Sequence, residues 1–118
     1  MKLRRRRPEP MGLRKDAQLR SAAHLQFVRG FTCILFGKDG HYCEGKPAAC
    51  HVRTGTDGCL GVKPSDNYTY PACSKAHREQ HDIGEAAFER KYGVNLRATA
   101  DKLWQLSPAR KKMERRTA

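Results

Sequence analysis

Apolar residues in this chain come in short runs separated by glycine, proline and charge, and the spacing of each run predicts an element. From Asp16 to Arg29, Leu19, Ala22, Ala23, Leu25 and Val28 form one apolar side before Gly30, which predicts a first helix. Phe31 to Phe36 is a short stretch with a β-branched and aromatic bias, and Gly37-Lys38-Asp39-Gly40 reads as the turn after it. Ala49 to Arg53 has the length of a strand, and the glycines of Thr54 to Gly61 mark a loop. Tyr68-Thr69-Tyr70 has strand propensity and is expected to end at Pro71. A helix is expected from an N-cap at Ser74 through His81 to Gly84. Two more follow, Glu85 to Tyr92 closed by Gly93, and Arg97 to Leu106 closed by Ser107-Pro108. Their expected core residues are Phe88, Tyr92, Leu96, Leu103, Trp104 and Leu106; Trp104 could instead stack on a base, but packing is the commoner use of a single Trp in an amphipathic helix.

Composition changes what can hold these elements together. A chain of 118 residues with a mean hydropathy of -0.81 holds one domain with little apolar material for a core. Five cysteines and five histidines make a bound metal the natural supplement, and a zinc-knuckle type of loop fits Cys33 to Cys43. The apolar runs are too short to span a bilayer, and Met1 to Arg20 lacks the apolar stretch of a signal peptide, so the expectation is a soluble, cytoplasmic protein with no membrane contact. An odd number of cysteines in a reducing compartment favours metal ligation over disulfides.

The net charge of +12 is concentrated at the two ends. Residues 1–20 carry eight Lys/Arg against two acids, and residues 107–118 carry five against one. The expected organisation is a basic disordered arm over 1–15, a single domain over 16–106 and a basic C-terminal tail over 107–118. Arg4, Arg5, Arg6 and Arg7 in the arm, Lys63, and Arg110, Lys111 and Lys112 in the tail are candidate phosphate contacts on DNA. Tails that only improve solubility are the alternative.

Five residues carry the candidate chemistry: Cys50, His51, Asp66, His77 and His81. Four residues apart on one helix, His77 and His81 share a face and can hold one ion. His51, on the preceding strand, suits a general base because an imidazole is mostly neutral at physiological pH. Asp66 is placed to accept a bond from the His51 ring and set its tautomer, although Pro64-Ser65-Asp66-Asn67 also reads as an Asx-type turn. Arg53, two residues after His51, faces the same way and can bind phosphate or be a plain surface cation. A divalent ion with open positions, a base beside the attacking water and a scissile phosphate are what metal-dependent phosphodiester cleavage requires.

The ordered string Cys33, Cys43, Ala49-Cys50-His51-Val52-Arg53, Gly61-Val62-Lys63-Pro64-Ser65-Asp66, Pro71-Ala72-Cys73 and His77-Arg78-Glu79-Gln80-His81 resembles small phage and prophage HNH-type nuclease domains. It is similar to the YbcO-like nucleases and to the recombination-enhancing, RecA-dependent nuclease Ref, over about residues 24–93. The resemblance implies an α+β fold, a small zinc-stabilised ββα-metal (HNH, or His-Me finger) core with flanking helices. It also implies DNA cleavage with Mg²⁺ or Mn²⁺, a separate structural Zn²⁺ and a RecA-type recombinase filament as a partner. Such domains often place a second Cys-x-x-Cys before the helical His, whereas here Cys73 is followed by Ala76. Cys50 can fill the vacancy or serve the catalytic ion; the reading adopted is a thiolate zinc site of Cys33, Cys43, Cys50 and Cys73, with Cys59 a free thiol.

The leading expectation is therefore a metal-dependent HNH-type DNA endonuclease or nicking enzyme with a His general base. A non-catalytic, zinc-stabilised nucleic-acid-binding module is the alternative, and a small protein binding DNA through its arms alone is a third. A purely structural domain has no need of a strand histidine paired with a helical His-x-x-x-His.

Overall fold

The computed structural model describes residues 18–59 and 61–117, so the arginines of the expected N-terminal arm lie outside the described residues. Among the described residues there are five helices and one two-stranded antiparallel sheet. Their order is α1 (Ala22–Arg29), β1 (Ala48–His51), β2 (Thr69–Ala72), α2 (Ser74–Ile83), α3 (Glu85–Tyr92), α4 (Leu96–Leu106) and α5 (Pro108–Thr117). None is long and apolar enough to cross a membrane.

In the sheet, Ala48 pairs with Ala72, Ala49 with Pro71, Cys50 with Tyr70 and His51 with Thr69. Pro71 does not end β2 as expected. In a two-stranded sheet both strands are edges, where a missing N–H need not break a ladder bond. Its carbonyl accepts the Ile34 N–H at 2.8 Å, which ties the Cys33–Cys43 loop to the free side of the strand. Leu35, Cys50, Val52, Tyr70, Ala72, Ala76, Phe88 and Leu96 form the centre of the core between sheet and helices.

Helix α1 starts at Ala22, well after Asp16, because tertiary bonds take the backbone before it. Leu19 donates its N–H to Ser65 Oγ at 3.0 Å and accepts from the Asp66 N–H at 2.9 Å. Ser21 then caps the helix, accepting from the His24 N–H. For α2 the cap is Cys73, whose Sγ accepts the Ala76 N–H, while Ser74 donates its hydroxyl to the Glu44 carbonyl at 2.9 Å. Gly93, at φ +65, ends α3 in the left-handed conformation that favours glycine. The Phe31–Phe36 stretch forms turns rather than a strand, with Phe36 N–H bonded to Cys33 O and Lys38 N–H to Leu35 O.

The basic segment after Ser107 is helical. Ser107 Oγ accepts the Ala109 N–H at 3.2 Å, and Arg110 donates to the carbonyls of Trp104 and Gln105. Helix α5 packs on α1 and α4. Trp104 is half-buried, edge-on to His24 with ring centroids 4.9 Å apart, while Leu106 is 51% exposed and so is not a core residue.

Candidate metal centre and histidine cleft

One cluster of metal-ligating atoms stands out. Cys33, His41, Cys43 and Cys73 bring three sulfurs and an imidazole nitrogen within 4.8 Å of one another, and this is the one such group of three or more among the described residues. Tetrahedral zinc bonded to sulfur at about 2.3 Å and nitrogen at about 2.0 Å holds neighbouring ligand atoms slightly closer, so a small contraction fits the ion. Leu35 donates its N–H to Cys33 Sγ and Ala76 donates to Cys73 Sγ, each at 3.4 Å, the outer bonds that favour thiolate. His41 Nε2 lies 3.5 Å from Cys73 Sγ, and its ring is braced edge-on by Tyr92. Burial opposes ionisation of Cys73, but the N–H groups of Ala76 and Glu44, with His41 and Cys33, outweigh it and bring the thiol down to about 6.

The expected fourth thiolate is not part of this cluster. Cys50 sits in the core and donates its S–H to its own strand, to the Ala48 carbonyl at 3.7 Å. Burial, with the nearby Cys33 and Cys73, pushes it up to about 12, an environment for a neutral thiol. Its place is taken by His41. The His41-x-Cys43 pair is the signal in the sequence, and the prospect of four cysteines obscures it. Cys59 is free and stands apart from the cluster.

The second site is assembled by β1, the loop after it and α2. His51 Nε2 lies 3.0 Å from Asp66 Oδ1. Asp66 is 3% exposed; its Oδ2 accepts the Ser21 N–H at 2.8 Å, and Arg20 approaches its Oδ1 at 3.4 Å. Arg20 also donates to the Pro64 carbonyl at 2.6 Å and to the Lys63 carbonyl at 2.8 Å, so the segment before α1 clamps the loop that presents the carboxylate. The expected Asx-type turn is not formed: the Tyr68 N–H bonds the Ser65 carbonyl at 3.0 Å, the Asp66 backbone carbonyl accepts the Thr69 hydroxyl, and the Asp66 carboxylate is left for His51, Ser21 and Arg20. With the carboxylate accepting, the proton belongs on His51 Nε2, which leaves Nδ1 with its lone pair. Burial lowers the affinity of His51 for a proton; Asp66 opposes this, while Lys63 and Arg20 add to it.

His51, Arg53 and His81 line one cleft of about 340 Å³, together with Gln80 and Glu85. Glu85, not singled out in the sequence, accepts the Arg53 and Thr54 N–H groups at 2.8 and 2.9 Å and so fixes the chain just past β1. His77 Nε2 and His81 Nε2 are 2.9 Å apart. Two nitrogens each about 2.1 Å from one ion, at right angles, would be about 3.0 Å apart, so the pair fits a shared ion as well as a mutual hydrogen bond. Burial and the adjacent His81 hold His77 below the usual imidazole value.

Of the expected phosphate contacts, Lys63 acts electrostatically on His51, and Arg110 is engaged with carbonyls and Glu114. Lys111 is exposed on α5. Lys112 lines a second cleft with Arg20 and Arg116, two cations that the charge pattern of the sequence does not single out.

Comparison with known proteins places the chain only by family. No curated protein and no solved structure matches it. A family model described as "Protein of unknown function (DUF968)" matches residues 8–107. The chain belongs to that DUF968 family.

Proposed function

We propose that this protein is a metal-dependent HNH-type endonuclease that hydrolyses DNA phosphodiester bonds. The observation that carries the reading is the His51–Asp66 pair, 3.0 Å apart, opening on a cleft shared with Arg53 and with His81 of the His77–His81 pair. The order β1, β2, α2 is the order that a ββα-metal core requires, and it supports the same reading.

In this reading His51 Nδ1 takes the proton of a water molecule as its oxygen attacks phosphorus. Asp66 holds the ring through Nε2 and stabilises the imidazolium that forms. Arg53, whose backbone is anchored by Glu85, supplies positive charge to the phosphoryl oxygens. A Mg²⁺ or Mn²⁺ ion held by His77 and His81 would supply Lewis acidity toward the phosphate and the departing oxygen. The cations around Arg20, Lys112 and Arg116 hold the backbone of the same strand without reading its sequence. The Cys33–His41–Cys43–Cys73 centre would carry a structural zinc, with Cys73 capping the helix that bears both histidines.

One observation favours the second reading, a zinc-stabilised nucleic-acid-binding module without catalysis. Among the described residues, His77 and His81 have no third protein ligand beside them. Supercoiled plasmid with Mg²⁺ or Mn²⁺ separates the two. Nicking that falls roughly 10²- to 10⁴-fold in His51→Ala, with DNA binding unchanged, supports the nuclease. Binding without nicking in both proteins supports the module.

A further inference from the structure

A cleft of about 340 Å³ beside the metal loop takes no part in the chemistry above. Phe31 and Phe36 line it, with Cys33 and Cys43 of the metal centre and Gly45, and Arg29 is its one lysine-, arginine- or acid-type residue. Phe36 is 69% exposed although its neighbour Leu35 is fully buried, and Tyr42, between His41 and Cys43, is 82% exposed. Phe31 is 38% exposed and braced edge-on by Phe27 at 5.0 Å. A single exposed aromatic is ordinary; three within a dozen residues, in and just before a loop that carries three of the four candidate metal ligands, are a displayed surface.

We propose that this cleft binds an unpaired nucleobase, with Phe36 and Phe31 as the stacking faces and Arg29 as the contact to the adjoining phosphate. Single-stranded DNA is then the ligand. Three features favour it over a protein. Phe31 and Phe36 put two aromatic rings on the cleft beside Pro47, which suits the flat face of any base. The charge present is positive, in a chain of net charge +12. The volume lies near the lower end of small-ligand sites, enough for a ring system and short of a helix or a loop. The metal loop holds the aromatics in place before the ligand arrives, so little side-chain freedom is lost on binding. This inference rests on the DNA reading above for its ligand, and not on the cleavage chemistry.

The test uses the full-length, zinc-loaded protein carrying His51→Ala, with fluorescence anisotropy of a labelled oligo(dT) and of a mixed-sequence duplex of equal length. Phe36→Ala should weaken oligo(dT) binding roughly 5- to 150-fold while leaving duplex affinity and zinc content unchanged, and Phe36→Tyr should restore it. Arg29→Ala should weaken oligo(dT) binding and make its salt dependence shallower. Oligo(dT) affinity that is indifferent to Phe36→Ala, or that falls in parallel with duplex affinity, overturns the proposal. So does a concentration-dependent dimer in sedimentation that Phe36→Ala abolishes, since a second copy would then own the cleft. Plasmid nicking by the unmutated protein is scored separately, so the loss of one reading leaves the other standing.

Discussion

At the residue scale, the account turns on which atoms face which. His51 and Cys50 are neighbours on β1, and strand alternation sends one to the cleft and the other to the core. That alternation predicts the outcome of two substitutions. Cys50→Ala should keep about one zinc per chain by metal analysis, whereas His41→Ala should lose it or hold it far more weakly, with cooperative unfolding shifted to lower temperature. Zinc lost from Cys50→Ala and retained in His41→Ala would restore the four-thiolate site. A second prediction concerns pH. Because burial, Lys63 and Arg20 keep His51 below the ordinary histidine value, its base form is present above that lowered value and is lost as pH falls through it. The acid limb of kcat/KM should therefore lie below about 6.5. Asp66 favours the protonated ring, so Asp66→Asn should move the limb to still lower pH while reducing the plateau roughly 10- to 100-fold through loss of the fixed tautomer. A limb that moves upward in Asp66→Asn would contradict the pairing.

Elements differ in how much of them can be read from the chain. Helix α3 is legible to the residue because Gly84 and Gly93 bracket it and both adopt positive φ. The start of α1 is not, since the bonds from Leu19 to Ser65 and Asp66 join segments more than forty residues apart, which no local pattern records. Pro71 inside β2 is a tertiary choice of the same kind, and so is the loss of Ser74 as the cap of α2, its hydroxyl being taken by the Glu44 carbonyl in a distant loop. His51, Asp66, His77 and His81 stand out because their spacing already implies a strand, a turn and one helix face. His41 does not, because it lies in a loop with no period to mark it. The loop from Thr54 to Asp66 yields a prediction at this scale. A Cβ at Gly58 would sit 2.5 Å from Pro64 Cγ, two residues before Asp66, and Asp57 holds the Ser65 N–H at 2.9 Å. Gly58→Ala should cost about 1–3 kcal/mol in denaturant unfolding. It should also lower nicking more than the stability loss explains, by displacing the carboxylate from His51. Unchanged stability would show that the loop yields there.

For the whole molecule, the proposed function divides the work between charge and metal. The apolar core is small, and the ligand cluster ties the Cys33–Cys43 loop to the start of α2, so a chelator should reduce the cooperativity of unfolding rather than leave a slightly softened domain. The basic residues after Ser107 read as a tail from their charge alone. As α5 they form a surface against α1, with Lys112 and Arg116 beside Arg20, the residue that clamps the Asp66 loop. Replacing Lys112 and Arg116 with alanine should weaken duplex binding at low salt and reduce the slope of log affinity against log salt by about 1.8, that is about 0.9 for each phosphate no longer neutralised. An unchanged slope would place the DNA elsewhere.

The most direct measurement of the central claim is nicking of supercoiled plasmid by the zinc-loaded protein with added Mn²⁺ or Mg²⁺, comparing the unmutated chain with His51→Ala and with His77→Ala/His81→Ala. The account predicts nicking by the unmutated chain only, all three proteins binding the plasmid with similar affinity. Nicking that survives His51→Ala, or that none of the three shows while all bind DNA, would contradict it.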